Sequence, residues 1–365
     1  MRGKERVRVA MSGGKPDCVP FIPQICVPHA VRMLGMDFES SLLDVVRHPL
    51  KMNRLSFECA KAYGVDGLRC WIPGNPLDVV KVDGIWHGQD PVTGKVLGRV
   101  DFEGGGDILP SDEPEIETEA DVDAMPVPTV DEILRSGKLD GIKEIIAEAG
   151  EDFFVISSLP AFFFEYLTCV RGKVLAMMDI IDRPEFCHYV LEKRFQIALS
   201  YAEAFKTIGI DGIMLGDTYG GVIGPEQFQE FTLDYIKRFA DLYRDSGMLL
   251  YMHVCGHSSH LFERMADTGV HCIEPLDNVA GVQVHDAKAR VGHRIALMGG
   301  VNTVKLARGT FDEVIEDGRR CLDEGAAGGG YILACSDMLP TETAPEKVRA
   351  LVQMAHGYSY TEATV

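Results

Sequence analysis

A histidine and a cysteine stand two residues apart at the end of the apolar run Leu249-Leu250-Tyr251-Met252-His253-Val254-Cys255-Gly256. Entered through Gly247 and left through Gly256, this run reads as a buried strand. In an extended chain residues i and i+2 share a face, so the His253 imidazole and the Cys255 thiol aim at one point. An imidazole nitrogen and a thiolate sulfur at one point are the first half of a zinc site. An isolated H-x-C is equally the pattern of a buried cysteine beside an ordinary histidine. The rest of the chain has to supply further donors in a compatible place.

Those donors depend on the elements that carry them. Val19 to Ile25 reads as a first short strand, His29 to Met36 and Leu42 to Tyr63 as helices, and Gly67 to Trp71 as a second strand. From Lys81 to Asp107 short alternating pieces joined by Asp83-Gly84 and Thr93-Gly94 predict an antiparallel hairpin insertion. Ser111 to Val130, rich in Asp, Glu and Pro, reads as a solvated connector. Strands then alternate with helices: strands at 153–157, 210–216, 249–255, 272–275, 294–298 and 331–334, helices at 185–208, 225–245, 259–267, 282–289 and 310–324, and a last helix from Ala344. Thr310-x-x-Glu313 and Thr343-x-x-Glu346 have the form of capping boxes. Strand–helix units repeating about eight times predict an α/β fold, a (β/α)₈ TIM barrel with N-terminal additions and the hairpin insertion. The whole of 1–365 is expected to be a single barrel domain. A doubly wound sheet is the weaker alternative, since no G-x-G-x-x-G follows a first strand.

Composition narrows the partners. A chain of 365 residues with 46% hydrophobic content buries a large core, and its net charge of −19 argues against nucleic acid or an anionic membrane surface. The basic start MRGKERVRVAMSGG has no apolar segment behind it, and no run of about 18 uncharged apolar residues occurs. Ten scattered cysteines then predict a reduced, cytoplasmic protein rather than a disulfide scaffold.

A TIM barrel does its chemistry at the C-terminal ends of its strands. The polar residues there are Asp217-Thr218-Tyr219, His253 and Cys255, Glu274 and Asp277, Asn302, and Cys335-Ser336-Asp337. Cys335 adds a second thiol to His253 and Cys255, giving three N/S ligands with an open position, the arrangement of a catalytic rather than a structural zinc. Glu274 and Asp277 are the carboxylates that could fill the open position. Asp277 is preferred because Glu274 lies within its strand and could face away. His257 and His260 read as helix-entry or surface residues, and His29 alone supports no role.

With these residues in place, the second half of the chain resembles the uroporphyrinogen decarboxylase superfamily. Within it, the likeness is to the zinc-dependent, corrinoid-linked methyltransferases of the methylcobalamin:coenzyme M type. The pieces that carry it are His253-Val254-Cys255-Gly256, MADTGVHCIEPLD, MGGVNTVKLARGTFDEV and YILACSDMLPTETAPEKV. The resemblance implies Zn²⁺ on His253, Cys255 and Cys335. It also implies a methyl group moved to or from a corrinoid (methylcobalamin) held by a separate corrinoid protein, with a small methyl donor or thiol as the other party. Asp217 and Tyr219 are then expected to bind substrate or steady the metal ligands. One departure matters. The decarboxylases carry an arginine-rich segment after the first strand for the porphyrinogen carboxylates, whereas Gln24 to Arg32 (QICVPHAVR) holds a single arginine. A decarboxylase, or a non-catalytic barrel stabilised by zinc, are the competing expectations.

Overall fold

Glycine-bounded runs of β-branched and aromatic residues form parallel strands because both of their faces are covered. In this computed structural model, which describes residues 1–108 and 114–360, β1 is Gly67–Cys70. β2 (Asp78–Val82), β3 (Ile85–Gln89), β4 (Val96–Asp101) and β5 (Asp107–Ile108) follow as a separate antiparallel sheet in that order. The expected hairpin insertion is therefore present. β6 (Phe154–Ser158), β7 (Gly212–Gly216), β8 (Leu249–His253), β9 (Cys272–Leu276), β10 (Ala296–Val301) and β11 (Tyr331–Cys335) join β1 in one parallel sheet. Its order is β1-β6-β7-β8-β9-β10-β11.

The expected first strand is a departure. Val19 to Ile25 makes only isolated bridges, Phe21 to Leu333 and Gln24 to Met338. Pro20 and Pro23 lack the N–H that a continuous ladder needs. The segment nevertheless lies between the two edges of the sheet: Ile22 N donates to Leu333 O at 3.0 Å, and Asp66 N, just before β1, donates to Phe21 O at 3.1 Å. The fold is thus a curled, barrel-like seven-stranded parallel sheet.

Strand residues alternate between two environments. Phe154, Ile156, Met214, Tyr251, Cys272, Ala296, Met298, Ile332 and Ala334 face an inner cluster. Their neighbours, including Val155, Leu250, Leu333 and Cys335, pack against the outer helices. The helix Gly3–Met11 closes one end of the inner cluster with Val7, Ala10 and Met11. It is tied there by Arg6 to Asp66, by Arg8 to Asp211 at 2.9 Å and by Arg8 Nη1 to Gly247 O at 3.0 Å.

Several helix boundaries differ from the sequence expectation. The helix expected over 42–63 is two, Phe38–Arg47 and Lys51–Tyr63, because Pro49 cannot continue the first. The helix expected over 225–245 contains a π-helical turn, Gln229–Leu233. The connector expected from Ser111 to Val130 lies outside the described residues at 111–113. Beyond them it buries Ile116 and Val122 around a short capped helix, Glu119–Asp123. The Thr310–Glu313 capping box forms, but the last helix starts at Pro345 with Ala344 as its cap, and the Thr343 hydroxyl is buried without a partner. Thr310→Ala is expected to cost about 1 kcal/mol in urea unfolding, because it removes a cap that satisfies an otherwise open helix N–H. Among the described residues no helix is long and apolar enough to cross a membrane.

Candidate metal centre and its surroundings

β8 and β9 are parallel neighbours in which His253 stands opposite Glu274. Both residues are on the inward face of their strands, and that register brings them into contact. His253 Nδ1 meets Glu274 Oε2, and His253 Nε2 lies 2.9 Å from Cys255 Sγ. On the far side of Glu274, Arg69 of β1 places Nη2 3.1 Å from Oε1, with its guanidinium over the Tyr251 ring. Three strands separate β1 from β9 in the sheet order, so this ion pair runs across the interior.

All three members are buried, and each charge would be costly there without its partners. Burial pushes the Glu274 carboxyl up, but Arg69 and His253 together outweigh it and hold it at about 2. Burial opposes the charged form of His253, yet Glu274 and then Cys255 raise the imidazole well above its usual range. Burial raises the Cys255 thiol, with His253 opposing. Glu274 therefore holds the proton of His253 at Nδ1, which leaves Nε2 as the nitrogen turned toward the cysteine.

Asp337 completes the cluster. Among the described residues, donor atoms of His253, Cys255 and Asp337 all lie within 4.8 Å of one another. Cys335, expected as the third ligand, is not in this group. The pleat explains the difference: Ile332 and Ala334 face the inner cluster, so Cys335, 1% exposed, turns with Tyr331 and Leu333 toward the helices. The chain bends at Ser336 and Asp337, bringing the carboxylate back to the mouth.

The other expected site residues take supporting positions. Asp277 accepts from Gly256 N at 3.1 Å and from Ala280 N at 3.2 Å, tying the loop after β8 to the turn after β9. Glu274 faces inward, contrary to the concern that it would point away, but its oxygens are taken by His253 and Arg69. Asp217 is fully buried, accepting from Thr232 Oγ1 at 2.6 Å and Tyr219 N at 3.0 Å. Thr232 sits on the π-helical turn, a feature often retained where it aims a functional residue. Tyr219 packs edge-on against Phe164. His29 is engaged by Tyr63 and Pro340, and His257 and His260 stack at the surface.

Two residues of this region, Arg69 and Glu165, carry no sequence expectation, and Asp337 is expected at its strand end without a role. Glu165, in the first turn of the helix Phe164–Arg171, accepts from Thr218 Oγ1 at 3.0 Å. Burial, then the charge of Asp217, push its carboxyl to about 7, and burial pushes Asp217 to about 6. A carboxyl raised from 4.5 to about 7 destabilises the fold once it ionises, so this contribution grows as pH rises through that window and is absent below it. Glu165→Gln is therefore expected to be more stable than the parent by about 1–2 kcal/mol at pH 8 and no more stable at pH 4, read by thermal melting at both.

Residues 93–358 match the family described as uroporphyrinogen decarboxylase (URO-D). The chain belongs to that family. Among its curated relatives, the uroporphyrinogen decarboxylase of Ruthia magnifica subsp. Calyptogena magnifica is 23% identical over 194 residues, 51% of this chain and 53% of the relative. That of Methylococcus capsulatus is 29% identical over 191 residues, 51% and 52%. That of Alcanivorax borkumensis is 26% identical over 250 residues, 65% and 68%. The chain thus spans about half the length of the first of these URO-D relatives. Of solved structures, a methyltransferase from Methanosarcina mazei superposes with a TM-score of 0.70 at 18% identity over 98% of both chains. A B12-independent methionine synthase from Shewanella sp. W3-18-1 gives 0.50 at 9% identity over 93% and 97%. At these identities the likeness is one of fold.

Proposed function

We propose that this URO-D family chain is a zinc-dependent methyltransferase moving a methyl group between a corrinoid on a partner protein and a small methyl donor or thiol acceptor. The observation that carries the reading is the His253–Cys255–Asp337 cluster with its Glu274–Arg69 support. An imidazole, a thiol and a carboxylate converge at strand ends, and the second nitrogen of the imidazole is anchored by a carboxylate, as in carboxylate–histidine–zinc units. This donor set fits zinc and leaves a position for an exchangeable sulfur. Bound there, zinc supplies a Lewis acid that keeps a coordinated thiol deprotonated at neutral pH.

The chain's own residues do the rest. Glu274 fixes the tautomer of His253, and Arg69 keeps Glu274 charged so that it can. Asp277 ties down the loop that follows Cys255. Asp217, steadied by Thr232, sets the position of Tyr219. Glu165, with its carboxyl near neutrality, can hold or release a proton beside the mouth.

The relatives' activity is the second reading, and the chemistry of a cavity lined in part by Met338, next to Asp337 in the chain, speaks against it. That cavity, about 630 Å³, has no lysine or arginine among its described lining residues. A porphyrinogen's carboxylates would find no partner there.

The test is purification without chelators, metal analysis, and methyl-transfer assays pairing methylcobalamin with thiols and a cobalt(I) corrinoid with methylated donors. About one zinc per chain and turnover in one direction are expected. Failure of every pair together with porphyrinogen decarboxylation would overturn the reading. Zinc content also separates the third ligand: Asp337→Asn is expected to lose most of the metal, whereas Cys335→Ala is expected to keep it. The reverse result would put the thiol of Cys335 on the metal.

A further inference from the structure

The cavity without lysine or arginine on its described lining has a chemistry that selects its occupant. It lies between the hairpin sheet and the helices Val27–Met33, Phe38–Arg47 and Lys51–Tyr63, with walls that include Met52, Trp71, Leu77, Ile108 and Met338. Met338, the residue after Asp337 in the chain, is on its lining. The charged residue on its described lining is Asp107, exposed at the rim. A volume of about 630 Å³ is that of a small-molecule site.

Two features make it a prepared site. Trp71 is held through its backbone: Asn53, buried, donates Nδ2 to Trp71 O and accepts from Trp71 N, both at 2.8 Å. The indole therefore stands on a fixed support. Gln24, 7% exposed, lines the cavity, and its Oε1 has no hydrogen-bond partner. Its backbone is pinned by Leu339 N donating to Gln24 O at 2.9 Å. The last torsion of a glutamine is soft, so the amide can turn toward a ligand without moving the backbone. A buried amide oxygen without a partner gains a full hydrogen bond from a ligand donor, whereas a ligand lacking one leaves it unsatisfied.

We propose that this cavity binds an uncharged, largely apolar small molecule carrying one O–H or N–H donor, which is received by the amide of Gln24. Bulk apolar surface lies against Met52, Leu77 and the Trp71 ring. Anionic ligands are excluded because no basic group among the described lining residues replaces their hydration. This deepens the methyltransferase reading and rests on it only in assigning the bound molecule as the methyl-bearing substrate; the binding itself does not require turnover.

Calorimetric titration of the full chain, with and without zinc, tests this using three probes of similar size: 4-methoxyphenol, anisole and 4-methoxybenzoate. The phenol is expected to bind in both metal states, anisole about tenfold more weakly for want of the donor, and the benzoate at least about a hundredfold more weakly. Gln24→Leu should bring the phenol down to the level of anisole. Met52→Trp, which fills the cavity from a different wall, should abolish binding of both neutral probes while the chain melts cooperatively. Equal binding of the benzoate, a phenol-to-anisole ratio unchanged in Gln24→Leu, or no binding of any neutral probe would each overturn the assignment. Neutral-probe binding without methyl transfer in any assay upholds the cavity and overturns the methyltransferase reading. Methyl transfer with probe binding indifferent to charge does the reverse.

Discussion

Replacing Cys255 with serine is expected to strip most of the zinc from the purified chain and to lower methyl transfer by on the order of three decades. The thiol sits 2.9 Å from His253 Nε2 and within 4.8 Å of the Asp337 carboxylate, so it is the sulfur around which the cluster is gathered. A serine hydroxyl has neither the softness nor the acidity to replace it at neutral pH. Cys255 is part-exposed at the strand end, so the fold should barely respond, with a melting temperature within about two degrees of the parent. Metal analysis and turnover on the same preparation check both halves. Full zinc with lost turnover would move Cys255 from holding metal to handling substrate.

The second large effect concerns stability. Arg69→Met is expected to destabilise the chain by about 3–5 kcal/mol in denaturant unfolding, because it leaves the buried Glu274 carboxylate facing His253 alone. Adding Glu274→Gln should recover much of that loss, since a neutral amide tolerates the same burial. The acid side gives an independent readout. With its carboxyl held at about 2 against a usual 4.5, Glu274 stabilises the fold above that usual value, and the contribution is lost as pH falls toward 2. Without Arg69 the loss should begin at higher pH. Equal acid titration of parent and variant would show that the pair is not what keeps Glu274 charged.

What could be read from the sequence followed the local patterns. The inner strands are legible because short apolar runs such as Phe153 to Ser157 and Leu249 to His253, bounded by polar or glycine residues, admit few other readings. Val19 to Ile25 carried the same composition, but its two prolines prevent a ladder, which periodicity alone does not weigh. The meeting of His253 and Cys255 was legible from the two-residue repeat of a strand. That same repeat, counted back from the inward Ile332 and Ala334, turns Cys335 toward the helices. Counting it from a neighbouring strand is not possible until the register is known. Asp337 stands at the same strand end, but an aspartate is a common residue there, and thiols are the more distinctive zinc donors in a sequence. Arg69 had no local signal at all: its partner lies 205 positions away (274 − 69) on a strand that is not its neighbour.

The helix Gly3–Met11 has a consequence for the order in which the chain comes together on the ribosome. It is synthesised before every strand of the sheet it closes, yet the loop behind it is fastened by Gly330 N donating to Gly14 O at 2.9 Å, and Ile332 and Ala334 of β11 share its apolar cluster. More than three hundred residues must emerge before those partners exist. A nascent chain stalled before β11 would therefore expose the inner faces of strands it has already made, at the end of the sheet away from the metal cluster. Completion of that end depends on the most distant contacts along the chain, the kind that slow folding most and leave apolar surface open longest.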